Sequence, residues 1–280
     1  MKGALPFHAP SFIISVTIDA RRAPMSHRIA TIGRYTVLEA LRTRLAVLTA
    51  MCIAVLLGAS FFVREIAITD SVRFQTAFYA ATVRFATVFL AALHVIASVS
   101  RDFDDKGLDM VLALDLPRSH YVIGKLAGFL VIASGLALAA GIALAPLAGL
   151  EAAAQWTASL ALELSIIVAL SLFCAVTFNS LMPAASFVIA FYVLARALTA
   201  VRLIGANPVA GADAPSHQVM AWLVEGLSLV VPALDQWTRT EWLVDQPAAW
   251  SAVALAAAHG ALFVVVLTAA AVFDMHRRNF

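Results

Sequence analysis

Residues 122–150 read VIGKLAGFLVIASGLALAAGIALAPLAGL, and Lys125 is the single charge in that run. At 1.5 Å of rise per residue, about 20 apolar residues in a helix cross roughly 30 Å of hydrocarbon, so this segment is long enough to span a bilayer. Working outward, five more runs of the same kind occur at about 46–63, 77–99, 157–178, 184–204 and 252–273. Each must be helical, because backbone polar groups cannot stay unpaired in lipid, and a barrel would show alternating ten-residue segments instead of solid apolar runs. Across the chain 62% of residues are apolar, 13% are charged and the mean hydropathy is +0.91. Typical soluble domains carry roughly 25% charged residues, so the composition excludes a soluble globule. Disorder and a disulfide framework are excluded too, since only Cys52 and Cys174 are present and both lie in apolar runs.

The basic residues predict the orientation. With the N-terminus inside, the inner side holds Lys2, Arg21, Arg22, Arg28, Arg34, Arg42, Arg44, Arg101, Lys106, Arg118, Lys125, Arg277 and Arg278, against Arg64, Arg73 and Arg239 outside. Both termini are therefore expected in the cytoplasm. Trp156, Trp222, Trp237, Trp242 and Trp250 all fall in or beside segments placed outside, as an interfacial aromatic belt would. Residues 1–25 do not have the order of a cleaved signal peptide and are expected to be a poorly ordered, dispensable tail, with Met25 an alternative start. Residues 26–280 are read as one transmembrane domain.

Four stretches do not span. In residues 26–44, Arg28, Tyr35, Glu39 and Arg42 share one helical sector and Val37, Leu38, Leu41 and Leu45 another, which predicts an amphipathic helix lying on the inner leaflet. In the inner loop 100–119, Asp102, Asp104 and Asp105 are placed at a helix N-terminus. Leu108, Val111, Leu112 and Leu116 then repeat at helical spacing until Pro117, and Ser119 is expected to cap the third span. The aspartates begin like a calcium loop, but Lys106 and Ala113 occupy ligand positions, so calcium is rejected. An apolar face on an inner loop calls for a protein partner. The outer segment 205–250 contains an apolar stretch, 219–234, that is too short to cross and is broken by Gly226 and Pro232, which predicts re-entrant or interfacial helices. The inner link 179–183 only joins spans four and five.

Charges inside spans are costly and should face the bundle, water or an opposite charge. Arg84, Glu163 and Arg196 lie at depths matching within about a turn and a half, which predicts an intramembrane cluster in the outer half with a surplus of positive charge. It serves either helix packing or contact with anionic groups of a substrate. Arg202 is near enough to an end to snorkel. No HExxH, GxSxG or GxxxxGK[ST] motif occurs, and His94 and His259 stand apart from each other and from the cysteines, so no metal, cofactor or catalytic residue is assigned to the chain. Gly124 and Gly128 form a GxxxG expected to be a close-packing helix face.

The stretch SRDFDDKGLDMVLALDLPRSHYVIGKLAGF at 100–129, with YTVLEALRTRL at 35–45 and LVVPALDQW at 229–237, resembles the permease subunits of ABC-2 type ABC transporters, particularly the multicopper-enzyme-maturation branch. The resemblance covers most of residues 30–280. It implies an all-α membrane domain of six transmembrane helices with an N-terminal connecting helix, a cytoplasmic coupling helix and outer re-entrant helices, located in a bacterial inner membrane. The coupling helix, roughly 105–114 with Asp105, Leu108, Val111, Leu112 and Leu114, would dock on a separate cytoplasmic ATPase that holds ATP and magnesium. A second permease copy, identical or related, would complete the assembly, with no nucleic acid involved. The branch name does not make copper the cargo, because the chain lacks the ligands. The competing readings are a secondary transporter or channel, which expects discontinuous helices in corresponding halves, and a membrane scaffold without transport.

Overall fold

The computed structural model describes residues 25–104, 117–178, 180–206 and 250–277, with isolated positions between 222 and 243. Among the described residues the chain is all-helical: α1 Met25–Arg42, α2 Leu45–Ile66, α3 Ser71–Asp104, α4 Arg118–Ala148, α5 Leu150–Phe178, α6 Leu181–Ala206 and α7 Trp250–Arg277. All but α1 contain a stretch long and apolar enough to cross a membrane. The expected tail, the candidate coupling residues Asp105, Leu108, Val111, Leu112 and Leu114, and most of the outer segment lie outside the described residues.

Helix α5 is the axis of the bundle. It packs against α3, α4, α6 and α7, and 72% of its most apolar stretch is buried, against 17% in α2 and in α7. A helix that is apolar on all sides is stable only inside protein or lipid. Here α5 takes the first environment and α2 and α7 largely the second: Val47, Met51, Val55 and Phe62 on α2, and Leu255, Leu262, Val265 and Phe273 on α7, are exposed.

Several boundaries differ from the sequence expectation, each for a physical reason. Spans three and four are separated by Gly149 alone, and the segment 151–156, expected as an outer loop, is the first turns of α5. Gly149 has φ 83° and ψ 160°, a conformation essentially restricted to glycine, and that sharp corner replaces the loop. Trp156 is consequently 3% exposed within the bundle, not part of an interfacial belt, whereas Trp222 and Trp250 are exposed. Helix α3 continues to Asp104, so Asp102 and Asp104 sit at a helix C-terminal end and not, as expected, at the N-terminus of a loop helix. The N-cap of α4 is Pro117, with no side-chain cap, and Ser119 is already helical. Pro183 belongs to the first turn of α6, where a missing N–H costs nothing, and not to the link before it.

Helix α1 forms as expected but buries a different face. Gly33, Thr36 and Ala40 are buried against α4, while Leu38 and Leu41 remain exposed. Small side chains determine the contact. A Cβ on Gly124 would stand 2.7 Å from Ile32 Cβ, and one on Gly128 would stand 2.6 Å from Thr36 Cβ and 2.7 Å from the Gly33 carbonyl oxygen. The GxxxG expected to be a packing face is therefore closed by α1. The step from Ile32 to Thr36 matches the step from Gly124 to Gly128, so the two helices run in the same sense where they touch.

Candidate functional site

Among the described residues two polar clusters interrupt the apolar bundle. The first joins the middles of α3, α5 and α6. Arg84 Nη1 donates to Glu163 Oε2 at 2.5 Å, and Arg84 Nη2 donates to Ser159 Oγ at 3.0 Å. The Arg84 guanidinium lies 5.1 Å from the centre of the Trp156 ring. Arg196 Nη1 stands 3.6 Å from Glu163 Oε1, beyond hydrogen-bond reach. One carboxylate therefore sits between two guanidinium groups, with Arg84 and Glu163 each 1% exposed and the Arg196 side chain 28% exposed. Buried charge is tolerable in such a setting because Arg84 and Glu163 are hydrogen-bonded to each other and Arg196 adds a second opposite charge nearby. The structure thus brings Arg84, Glu163 and Arg196 together. Trp156 and Ser159, two turns and one turn before Glu163 on α5, complete the group. The sequence held their signal in the i, i+3, i+7 spacing of positions 156, 159 and 163.

The second cluster ties α1, α3 and α4 where residues 105–116 leave and rejoin the bundle. Lys125 Nζ, on a side chain almost wholly buried, lies 3.2 Å from Glu39 Oε2 and 2.9 Å from Asp102 Oδ2, and donates to Ser98 Oγ at 3.1 Å. Ser98 donates to Glu39 Oε1 at 2.9 Å, Arg101 Nη2 approaches the same oxygen at 3.1 Å, and the Tyr121 hydroxyl donates to Asp102 Oδ2 at 2.6 Å. A carboxylate at a helix C-terminus opposes the helix dipole. Lys125 and Tyr121 offset that penalty for Asp102, which explains how α3 can end on acids. At the same end of the bundle Arg118 Nη1 donates to the Met275 carbonyl at 3.0 Å, satisfying a terminal acceptor of α7.

Partial burial by itself would raise the Glu39 carboxyl, but the Lys125 charge, hydrogen bonds from Ser98 and Lys125, and the Arg101 charge outweigh it and hold the group below its ordinary value. A folded-state pKa below the unfolded one contributes stability that is present above the ordinary 4.5 and is lost as pH falls through the lowered value. Helix α1 is therefore expected to loosen from α3 and α4 in acid, below about pH 4.5. Spin labels on α1 and α4, followed from pH 7 to pH 3, should report a widening distance. Glu39→Gln should remove that pH dependence; a Gln variant that still widens in acid would assign the response to another group.

Among the described residues no three His, Cys, Asp or Glu side chains converge as a metal site. The His94 and Phe129 rings stand perpendicular, with centroids 6.1 Å apart, and Cys174 is buried within α5. No family model matches the sequence, and no curated protein matches it.

Proposed function

We propose that this chain is the membrane permease subunit of an ATP-driven ABC-2 type exporter, working as a pair of permeases with separate cytoplasmic ATPases. The observation that carries the reading is the second cluster. Residues 105–116, whose sequence resembles a coupling helix, leave α3 at Asp104 and re-enter α4 after Pro117, and those two helix ends are bound to each other and to α1 through Lys125, Asp102, Glu39 and Tyr121. A displacement of the connecting segment would reach three helices at once, because the buried Lys125 ties half-buried carboxylates of α1 and α3 to α4 through short charge-assisted contacts. Nucleotide-driven closure of two ATPases would then rock the bundles between two packed arrangements and open a path at the axis of the permease pair.

Orientation supports the same reading. Arg101, Arg118, Lys125 and Arg277 gather at the end of the bundle where α4 starts and α7 finishes, while Arg64 and Arg73 lie at the opposite ends of α2 and α3. Positive charge concentrated on one side marks that side as cytoplasmic. In this picture the Arg84–Glu163–Arg196 group faces the path through Arg196, its most exposed member, and favours anionic groups of the cargo.

Leu112→Asp places a charge on the apolar ridge of the proposed coupling helix. It should abolish co-purification of a nucleotide-hydrolysing subunit and stop transport, while the helical content and the unfolding midpoint of the isolated permease stay unchanged. Co-purification of the native chain with no ATPase, or full transport by the variant, would sink the proposal in favour of a self-sufficient carrier or a scaffold.

A further inference from the structure

The elbow between α1 and α2 borders a groove that neither polar cluster uses. A cavity of about 300 Å³ opens there, lined by Leu41, Leu45, Thr49 and Ile53 on one side and by Val131 and Gly135 of α4 on the other, with further apolar residues between. Thr49 carries the one side-chain polar atom in this lining. It is 3% exposed, and its Oγ1 has no hydrogen-bond partner. The hydroxyls of Thr36, Thr76 and Thr87 instead return to a carbonyl one turn back. A buried hydroxyl left unpaired is unfavourable, so an occupant that brings an acceptor into the groove gains from meeting it.

Beside the groove the chain breaks sharply. Arg44 adopts φ 61° and ψ 9°, a left-handed conformation uncommon outside glycine, asparagine and aspartate, and it lies between Thr43 and the first residue of α2. Arg42 and Arg44 are exposed, and neither forms an ion pair among the described residues. The elbow therefore presents, in order, two exposed guanidinium groups without an ion-pair partner among the described residues, then a hydroxyl one turn into α2, then an apolar slot. A phospholipid carries the complementary order: an anionic phosphate, ester carbonyls and an acyl chain.

We propose that the elbow is a binding site for an anionic phospholipid, with one acyl chain lying between α2 and α4, an ester carbonyl accepting the Thr49 hydroxyl, and the phosphate held by Arg42 and Arg44. The charge of the two arginines selects this occupant over an uncharged helix, which would leave both guanidinium groups unpaired. The site requires only that the bundle is embedded in lipid, so it stands apart from the transport reading.

Native mass spectrometry of the detergent-solubilised full chain, titrated with phosphatidylglycerol or phosphatidylcholine, tests it. The unchanged chain should retain phosphatidylglycerol in preference to phosphatidylcholine. Arg42→Gln with Arg44→Gln should erase that preference, weakening phosphatidylglycerol binding about thirtyfold, the attraction of roughly two basic residues for an anionic surface. Gly135→Leu fills the slot from a position where a Cβ meets nothing within 4 Å, and should weaken retention of both lipids at an unchanged unfolding midpoint. Equal retention of the two lipids by the unchanged chain, or unaltered binding in either variant, would overturn the proposal. So would a Gly135→Leu chain that loses a dimer while keeping its lipid, since the groove would then be the seat of a second copy.

Discussion

Glu163→Leu is expected to be the most destabilising single substitution in the bundle. The carboxylate is buried between Arg84 and Arg196, and its loss would strand the Arg84 guanidinium over Trp156 with Ser159 as its remaining side-chain hydrogen-bond partner. Removing one member of a buried pair costs about 3–5 kcal/mol, and the separate cost of a charge at mid-depth in a membrane is at least about 2.5–3.5 kcal/mol. Two independent routes thus give a similar figure, a large fraction of the roughly 5–15 kcal/mol that holds a typical domain together. Replacing both partners, Arg84→Met with Glu163→Met, should recover most of the loss, because it removes the fully buried guanidinium together with its carboxylate and leaves only the partly exposed Arg196 without that carboxylate. Unfolding midpoints of the single and double variants in detergent measure this directly. A single variant that loses less than about 1 kcal/mol would show that water or lipid headgroups reach Arg84. Glu163→Gln separates packing from transport: unchanged assembly with lost transport would assign the cluster to the cargo, and normal transport would assign it to helix packing.

That cluster was legible in the sequence because depth along a spanning helix follows from residue counting alone. Arg84, Glu163 and Arg196 lie on three different helices, yet a lipid-imposed length puts them at comparable levels, and a charge at that depth must find a partner. The second cluster was not legible, for an equally physical reason. Lys125, Arg101 and Asp102 lie near the ends of apolar runs, where solvation is the natural reading, and Glu39 belonged to a helix whose expected partner was the bilayer surface. Nothing in a period of 3.6 residues says that a charged stripe will turn toward two other helices. The hint was Lys125 itself, a lysine within an otherwise unbroken apolar segment and one residue from a glycine that invites close approach. Trp156 failed in the opposite direction. The enrichment of tryptophan at interfaces is a tendency of many side chains, whereas this ring is committed to one guanidinium by the corner at Gly149, which carries the helix past where a loop was expected. The burial of α1 through Gly33, Thr36 and Ala40 was hidden because amphipathic patterns weigh Leu and Val against charges and give small residues no voice.

Gly128→Val is expected to be the second most damaging change, and it tests whether α1 is held as the structure shows. The added Cβ would meet Thr36 Cβ at 2.6 Å and the Gly33 carbonyl oxygen at 2.7 Å. The second of these is backbone, so no rotamer change can relieve it, and the two helices must separate. Overpacking of a close contact costs typically 1–3 kcal/mol, and here the loss should spread, because α1 also carries Glu39. Once α1 moves, Lys125 keeps Asp102 and Ser98 but loses the Glu39 carboxylate, and Arg101 loses it as well. A double-mutant cycle with Glu39→Gln makes the coupling measurable. If both substitutions act by releasing α1, the combined variant should be no less stable than Gly128→Val alone by more than a few tenths of a kcal/mol, the scatter usual for independent sites. Full additivity would mean that Glu39 stays bound to Lys125 after the glycine contact is lost, and that the network, not the GxxxG face, fixes α1. The distinction bears on mechanism: a helix held by steric fit shifts as a rigid unit, whereas one held by Glu39 could be released and recaptured as the segment after Asp104 is pushed.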